Sequence, residues 1–578
     1  MIISRDTVLK YALKNAIDHN GRADVNAVIR KLVSEKPDVK GVIKEIIPLV
    51  RGVVEEVNAL TISEQKRLFE EKFPEGLEER KGEEERKLPP LPDVERFKSV
   101  ITRFAPEPNG YLHLGHAKAA ILSYEYAKLY GGRFLLRFED TNPRAEKLEY
   151  YEAIREDLKA LGLSWAEEKI VSYDIPKIYS YAKEIITRGY AYACVCQTKL
   201  LRLNRRLGKE CLCRSKGVEY NLQVLDKMIN GAYREGEAVI RLKTSMRHKN
   251  YAMRDPVILR VVDHPHPLQG VKYHVYPTYD FACALEDCLM EVSHVLRSME
   301  FVPRVDIQVE VCKILGFTPP VAIQFGRLKM EGTPLSKRRI IPLIREGIVK
   351  GWDDPRLATL RGLFKRGVHP DAVKRLIMDV GPSKANALIT KKLLDSYNRK
   401  VVDPIANRFF FVKDPVLMRI HNAPPRRSVR IPLHPSFPER GFRVLELEGR
   451  EGVMEVYVSN DDLVKRTEGS MLRLMGLFNV RLLNLNRPLE AVYAGEELID
   501  PKIQWLPVNG GIQAEVFLIG PLLKDGRINP DSLKVVSGLV ERSCAELKEG
   551  ELVQFERFGF ARIEKAGVDG VKAVLTHK

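Results

Sequence analysis

At 578 residues the chain is too long for one hydrophobic core, because single cores rarely grow beyond about 250 to 300 residues, so several domains are expected. Its 94 Lys and Arg against 77 Asp and Glu leave a formal charge of +17, which points to a polyanionic companion without specifying one. No run approaches the roughly 18 apolar residues that cross a membrane, so a spanning helix is excluded; with no leader pattern at the start, the cytoplasm is the expected compartment.

Residues 1–73 read as an N-terminal helical appendage. Val25, Val28, Ile29 and Leu32 recur at helical spacing behind Asp24, a residue type suited to the N-cap. The charges and prolines of 74–92 read as a linker.

Residues 99–104 form a short apolar run holding Val100, Ile101 and Phe104. Pro106, Pro108 and Gly110 then break the chain, 114–130 carries a helical pattern, and a second apolar run follows Gly131 and Gly132 over 133–138. Strand, loop, helix and strand make a βαβ unit, which takes ligands at the carboxyl ends of its strands. His113 and His116 stand three apart where the helix begins. That spacing puts both imidazoles on one side of the first turn, Gly115 admits a ligand to the backbone, and the unpaired N–H groups attract phosphate. Two surface histidines around a helix start are the alternative reading. A second basic loop, Leu335-Ser-Lys-Arg-Arg339, follows the strand-like 322–325 and Gly332-Thr-Pro334. Alone it reads as a solvated turn; paired with the first loop it is the other half of a phosphate clamp.

Cys194-Val-Cys196 and Cys211-Leu-Cys213 offer four thiols in two pairs, a set suited to tetrahedral zinc, although zinc pairs are usually spaced by two or more residues. A reduced thiol cluster and disulfides are the alternatives. Cys283, Cys288, Cys312 and Cys544 lie in apolar or helical contexts and read as buried small hydrophobes.

Residues 341–400 are helical by pattern and include Trp352-Asp-Asp-Pro-Arg356. Beyond 401 the period changes: Met454, Val456 and Val458 alternate with Glu455 and Tyr457, and Val553 and Phe555 with Gln554 and Glu556. Residues 401–578 are therefore expected to be all-β, as two barrels. Arg419, Arg426, Arg427 and Arg430 are candidates for phosphate or base contacts, with ordinary surface solvation as the other reading.

Taken in order, these motifs resemble those of the class I aminoacyl-tRNA synthetases, with His113-Leu-Gly-His116 as the HIGH signature and Leu335-Ser-Lys-Arg338 as the KMSKS-type signature. Arg137-Phe-Glu-Asp-Thr-Asn-Pro-Arg144, Tyr276-Pro-Thr-Tyr-Asp-Phe-Ala282 and His294-Val-Leu-Arg297 are similar to motifs of the archaeal and eukaryotic glutamyl group. The resemblance covers nearly the whole chain and implies an α/β multidomain protein. Its Rossmann-type catalytic domain would lie in two halves, 93–193 and 281–340, around an acceptor-binding insertion at 194–280. A helical connecting region at 341–400 and anticodon-binding barrels at 401–578 would follow.

The resemblance implies His113, His116 and Lys337 as catalytic residues. It places Glu107, Pro108, Asn109, Gly115, Ala117, Ser298, Arg327, Leu328, Leu335 and Ser336 beside ATP, with Mg²⁺ entering alongside. It sets Arg103, Ala105, Glu139, Tyr279 and Arg297 around glutamate, with Glu139 suited to the α-ammonium. Glutaminyl relatives have an uncharged residue in place of Arg297, and a buried arginine facing a neutral amide forfeits roughly 1 to 3 kcal/mol or more. A helix-surface arginine paired with Glu300 is the other reading of Arg297. The implied partners are tRNA(Glu), with tRNA(Gln) left open, and the implied state is a monomer with structural zinc. Glutaminyl-tRNA synthetase and a synthetase-like RNA-binding protein without catalysis are the alternatives.

Overall fold

The computed structural model describes residues 4–18, 21–35, 43–73, 88–464 and 466–578, in two units, Met1–Lys87 and Leu88–Lys578. The linker expected over 74–92 lies, up to residue 87, outside the described residues. The first unit is helical as expected: α1 (Arg5–Asp18), α2 (Val25–Glu35), α3 (Ile43–Asn58) and α4 (Ile62–Lys72). Asp24 caps α2, its carboxylate accepting the Ala27 N–H over 2.8 Å, and Thr61 and Glu64 form a capping box at the start of α4. The helices bury Val8, Leu13, Val28, Leu32, Val53 and Phe69 in a common core. Within it the Gln65 amide donates to the carbonyls of Gly21, Val57 and Leu60.

The second unit begins with the expected βαβ run: β1 (Ile101–Phe104), α5 (Leu114–Leu129), β2 (Arg133–Phe138), α6 (Leu148–Ala160), β3 (Glu167–Ile170) and α7 (Ile175–Thr187). The chain then leaves this sheet for β4 (Ala191–Cys194), α8 (Thr198–Leu207), α9 (Val218–Ile229), β5 (Val239–Leu242), β6 (Val257–Val261) and β7 (Val275–Pro277). These strands form a separate antiparallel sheet in the order β4-β5-β6-β7. It starts at Ala191, ahead of residue 194, because Ala191-Tyr-Ala-Cys194 is buried at every position and offers no alternation to read. After α10 (Tyr279–Leu289) the chain returns as β8 (His294–Ser298), α11 (Val302–Leu315) and β9 (Val321–Phe325). The resulting five-stranded sheet is parallel and ordered β3-β2-β1-β8-β9. Its direction of winding reverses between β1 and β8, and a crevice opens at the carboxyl ends of strands where such a reversal occurs.

The region after the sheet carries β10 (Leu328–Met330), α12 (Lys337–Arg345), α13 (Leu360–Lys365), α14 (Pro370–Val380), β11 (Ala387–Ile389) and α15 (Lys391–Val402). The helices were expected; the parallel β10-β11 pair was not, its strands being too short to leave a period in the sequence. The remaining residues form two β-barrel domains, each built on a seven-stranded sheet. One uses strands from Pro415–His421 to Trp505–Pro507 and is inserted into the other, which uses Asn407–Phe409, Phe411–Lys413 and the strands from Gly511–Ile519 to Val571–His577. Met454, Val456, Val458, Val553 and Phe555 are all buried, so the alternation picks out the core-facing side of both barrels. Among the described residues no helix is long and apolar enough to cross a membrane.

Candidate active site

The β1–α5 loop carries the two histidines to the crevice. His113 caps α5: its Nδ1 accepts the N–H of Gly115 over 3.0 Å and, more weakly, that of His116. His116 Nδ1 in turn accepts the His113 N–H over 3.3 Å, and the two rings stack with centroids 3.8 Å apart. With each Nδ1 acting as acceptor, the proton of each neutral ring sits on Nε2. Burial lowers the His113 pKa to about 4. His116 is exposed as a residue, but the desolvation of its ring and the neighbouring His113 hold its pKa well below the usual histidine value. Both rings are therefore neutral N–H donors at pH 7, the opposite of two fixed cations.

Residues 358–360 brace this loop, through Leu114 N–H to Ala358 O and Leu360 N–H to Leu112 O, and Trp352 packs on Tyr111. Lys337, at the start of α12, crosses to it: its ammonium donates to the carbonyl of Asn109 and lies 5.4 Å from the centroid of the Tyr150 ring. Burial lowers its pKa. The two basic loops, distant in sequence, thus meet, as the clamp reading requires.

Beneath them lies a buried ion network. Asp287, on α10, takes Nε and Nη2 of Arg103 over 3.0 and 3.2 Å and Nη1 of Arg137 over 2.7 Å. Arg137 also holds Glu139 Oε1 over 2.7 Å. Although burial opposes the charge, the two guanidinium groups hold the Asp287 carboxyl far below its ordinary range. Glu139 is pushed upward by burial, with Arg137 opposing, and its Oε2 has no hydrogen-bond partner. Arg297 projects from β8 and is 6% exposed. Its Nη2 donates to Gln308 Oε1 over 2.6 Å, while Nε and Nη1 have no partner. The helix-surface alternative fails on two counts: Arg297 lies on a buried strand, and Glu300 pairs with Arg327. Burial raises the pKa of the Tyr279 hydroxyl, which lies within electrostatic reach of Arg297, Arg103 and Glu139.

The remaining expected residues divide. Glu107 accepts from Asn142 over 3.1 Å, Pro108 O takes the Lys147 N–H, and Ala105, Gly115 and Ala117 line the strand end and first helical turn. Ser298 ends β8 and Leu328 is buried in β10. Leu335 packs on the catalytic core while Ser336 is exposed beside it. The Arg327 guanidinium is turned to Glu300 over 2.5 Å and is half-exposed. In the barrels, Arg419 pairs with Glu455 over 3.0 Å, Arg427 pairs with Glu496, and Arg430 stacks on Phe442; the Arg426 side chain is outside the described residues. Sequence reasoning missed Asp287 and Gln308. The signal for Asp287 was a pair of acids, Glu286 and Asp287, within an otherwise apolar helical run, Phe281 to Leu289.

Cys194, Cys196, Cys211 and Cys213 come together with all four Sγ atoms within 4.8 Å of one another. Cys194–Cys211 and Cys196–Cys213 are each 3.8 Å apart, close to the edge of a tetrahedron around a metal bonded to sulfur at about 2.3 Å. Arg241 approaches Cys194 and Cys211 within 4.0 and 3.9 Å and offers N–H groups to thiolates. Elsewhere Cys283, Cys312 and Cys544 are buried as expected, while half-buried Cys288 touches Cys312 with sulfurs 2.7 Å apart.

Residues 99–404 match the catalytic domain of class I tRNA synthetases (E and Q), and 406–493 and 502–564 match two anticodon-binding domains of the same group. The chain belongs to the class I tRNA synthetases of the E and Q family, a class that uses ATP with Mg²⁺, an amino acid and tRNA. It is 44% identical to the glutamate–tRNA ligase of Pyrococcus furiosus over 582 residues, covering 99% of each chain. The glutamate–tRNA ligases of Korarchaeum cryptofilum and Pyrococcus abyssi are 43% and 45% identical at the same coverage.

The histidine geometry makes a spectroscopic prediction. Because the folded pKa of His113, about 4, lies below the ordinary value of about 6.5, its stabilising contribution is complete above about pH 6.5 and is lost as pH falls toward 4. Nitrogen-detected NMR of the imidazole should find the neutral Nε2–H tautomer at pH 6. A protonated His113 at that pH would contradict the arrangement.

Proposed function

We propose that the chain is a glutamate–tRNA ligase, which activates glutamate with ATP and transfers it to the 3′ end of tRNA(Glu). The observation that carries this reading is Arg297, a buried guanidinium with two nitrogens, Nε and Nη1, that have no partner. Counting charges supports it: Arg103, Arg137 and Arg297 against Glu139 and Asp287 leave the chamber with one positive charge. Glutamate at neutral pH brings one net negative charge and balances it; glutamine brings none. The inactive RNA-binding reading is disfavoured by the joint presence of both histidines, Lys337 and this chamber.

In the first step a glutamate α-carboxylate oxygen attacks the α-phosphorus of ATP and pyrophosphate leaves, forming glutamyl-adenylate. No protein nucleophile or general base is needed, so positioning and charge stabilisation carry catalysis. Glu139 Oε2 receives the α-ammonium, Tyr279 and Arg297 receive the side chain, and Arg103, held by Asp287, faces the α-carboxylate. His113 and His116 donate Nε2–H to phosphate oxygens that gain charge, and Lys337 follows the leaving pyrophosphate. Mg²⁺ bound with ATP would neutralise phosphate charge. In the second step a ribose hydroxyl of the terminal adenosine attacks the adenylate carbonyl and AMP leaves. The acceptor end is assigned to the 194–280 insertion, and anticodon reading to the barrels. A cytoplasmic monomer is the accompanying reading, and charging of tRNA(Gln) is a separate assay.

Zinc is assigned to Cys194, Cys196, Cys211 and Cys213. Four sulfurs within 4.8 Å of one another, two pairs of them at tetrahedral edge spacing, fit a closed structural site, with Arg241 offsetting the negative charge of the thiolates. Purified protein should contain about one zinc per chain by metal analysis; four freely titrating thiols and no zinc would refute the assignment. The functional test is Arg297→Cys. Removing one partner of a buried charge pair costs about 2 to 5 kcal/mol, so the variant should lose about thirtyfold or more in kcat/KM for glutamate and shift preference toward glutamine. Unchanged selectivity would overturn the substrate assignment.

A further inference from the structure

We propose that Gln308 is a positioning residue that sets amino-acid specificity by orienting the Arg297 guanidinium with a neutral acceptor. The proposal rests on the reading of Arg297 as the group that meets the substrate carboxylate. Gln308 lies on α11 and Arg297 on β8, and both are nearly buried. A guanidinium only donates, so the amide must present Oε1 to it; flipping the amide would set N–H groups against a cation. The 2.6 Å bond from Nη2 fixes the rotation of the guanidinium plane, and the Phe301 ring, 5.4 Å from the Arg297 carbon centre, supports one face. One Nη2 hydrogen is thereby used. The other, together with those on Nε and Nη1, is left for a carboxylate to bridge as a fork.

The neutrality of the acceptor is what matters. A carboxylate at 308 would satisfy the same hydrogen while cancelling the charge that glutamate must meet. Among the described residues no acid is hydrogen-bonded or ion-paired to Arg297. Asp280, which feels its field, is already paired with Arg304. The amide therefore orients the cation and leaves its charge available. Purely structural burial of Gln308 would leave its own Nε2 without reward, since that amide nitrogen has no partner.

The test uses the full chain with tRNA, reading ATP–pyrophosphate exchange. Gln308→Glu preserves shape and adds charge: KM for glutamate should rise about tenfold or more while KM for ATP stays within about twofold, and glutamine should gain relative to glutamate. Gln308→Met preserves volume and removes the acceptor, and should raise KM for glutamate without a comparable change for ATP. Parental glutamate KM in both variants would overturn the proposal, as would glutamate and ATP constants rising together with a lowered thermal midpoint. Arg297→Cys run in parallel separates the two failures. If it loses selectivity while the Gln308 variants do not, only the role of Gln308 falls; if it keeps selectivity, the underlying reading falls as well.

Discussion

The carboxylate of Asp287, chelated by Arg103 and Arg137, is the interaction on which the site depends. The two arginines come from β1 and β2, in the first half of the catalytic sheet, and the aspartate from α10, which leads into its second half. The network therefore forms only when both halves close around the insertion. Buried ion pairs add little net stability, because desolvation offsets the Coulomb gain, whereas removal of one partner costs several kcal/mol. Their value here is geometric. Asp287 spends its charge on two cations, Arg137 turns Glu139 into place, and the third arginine, Arg297, keeps its charge for a ligand.

The loops above the network solve a different problem. In the mechanism proposed above, phosphate would meet neutral imidazoles at this helix start, whose Nδ1 atoms are tied to backbone N–H groups and whose Nε2–H groups are left as donors. Two protonated rings stacked at 3.8 Å would repel each other, and their desolvation would be costly. The cation beside them is Lys337, at the start of α12, whose ammonium donates to the carbonyl of Asn109 in the first loop. A backbone-tied donor pair with one cation brought in from a distant segment suits the proposed reaction, in which charge departs with pyrophosphate.

Much of this was legible in the sequence because its signals are local. The βαβ run, the histidine spacing, the Asp24 cap and the alternation of Met454, Val456 and Val458 each follow from the period of one element. What was not legible depends on meetings across the chain. Asp287 stands far from Arg103 and Arg137, and nothing in its neighbours announces the pairing. The nesting of one barrel inside the other depends on which strands pair, as when Asn407–Phe409 joins Leu552–Phe555, and alternation alone does not say that. Arg327 joined the ATP candidates by motif position, yet its guanidinium turns to Glu300, because an exposed arginine takes whichever acid lies within reach. The cysteines are the intermediate case: their residue types were readable, while the tetrahedral spacing of the sulfurs required the fold.

In the proposed function, one uncompensated buried positive charge selects the amino acid. ATP–pyrophosphate exchange by the parent chain, with glutamate or glutamine as the amino acid and tRNA present or absent, tests it most directly. Exchange is expected with glutamate in the presence of tRNA, and little with glutamine under any condition. Comparable exchange with glutamine, or none with either amino acid when tRNA is supplied, would contradict it.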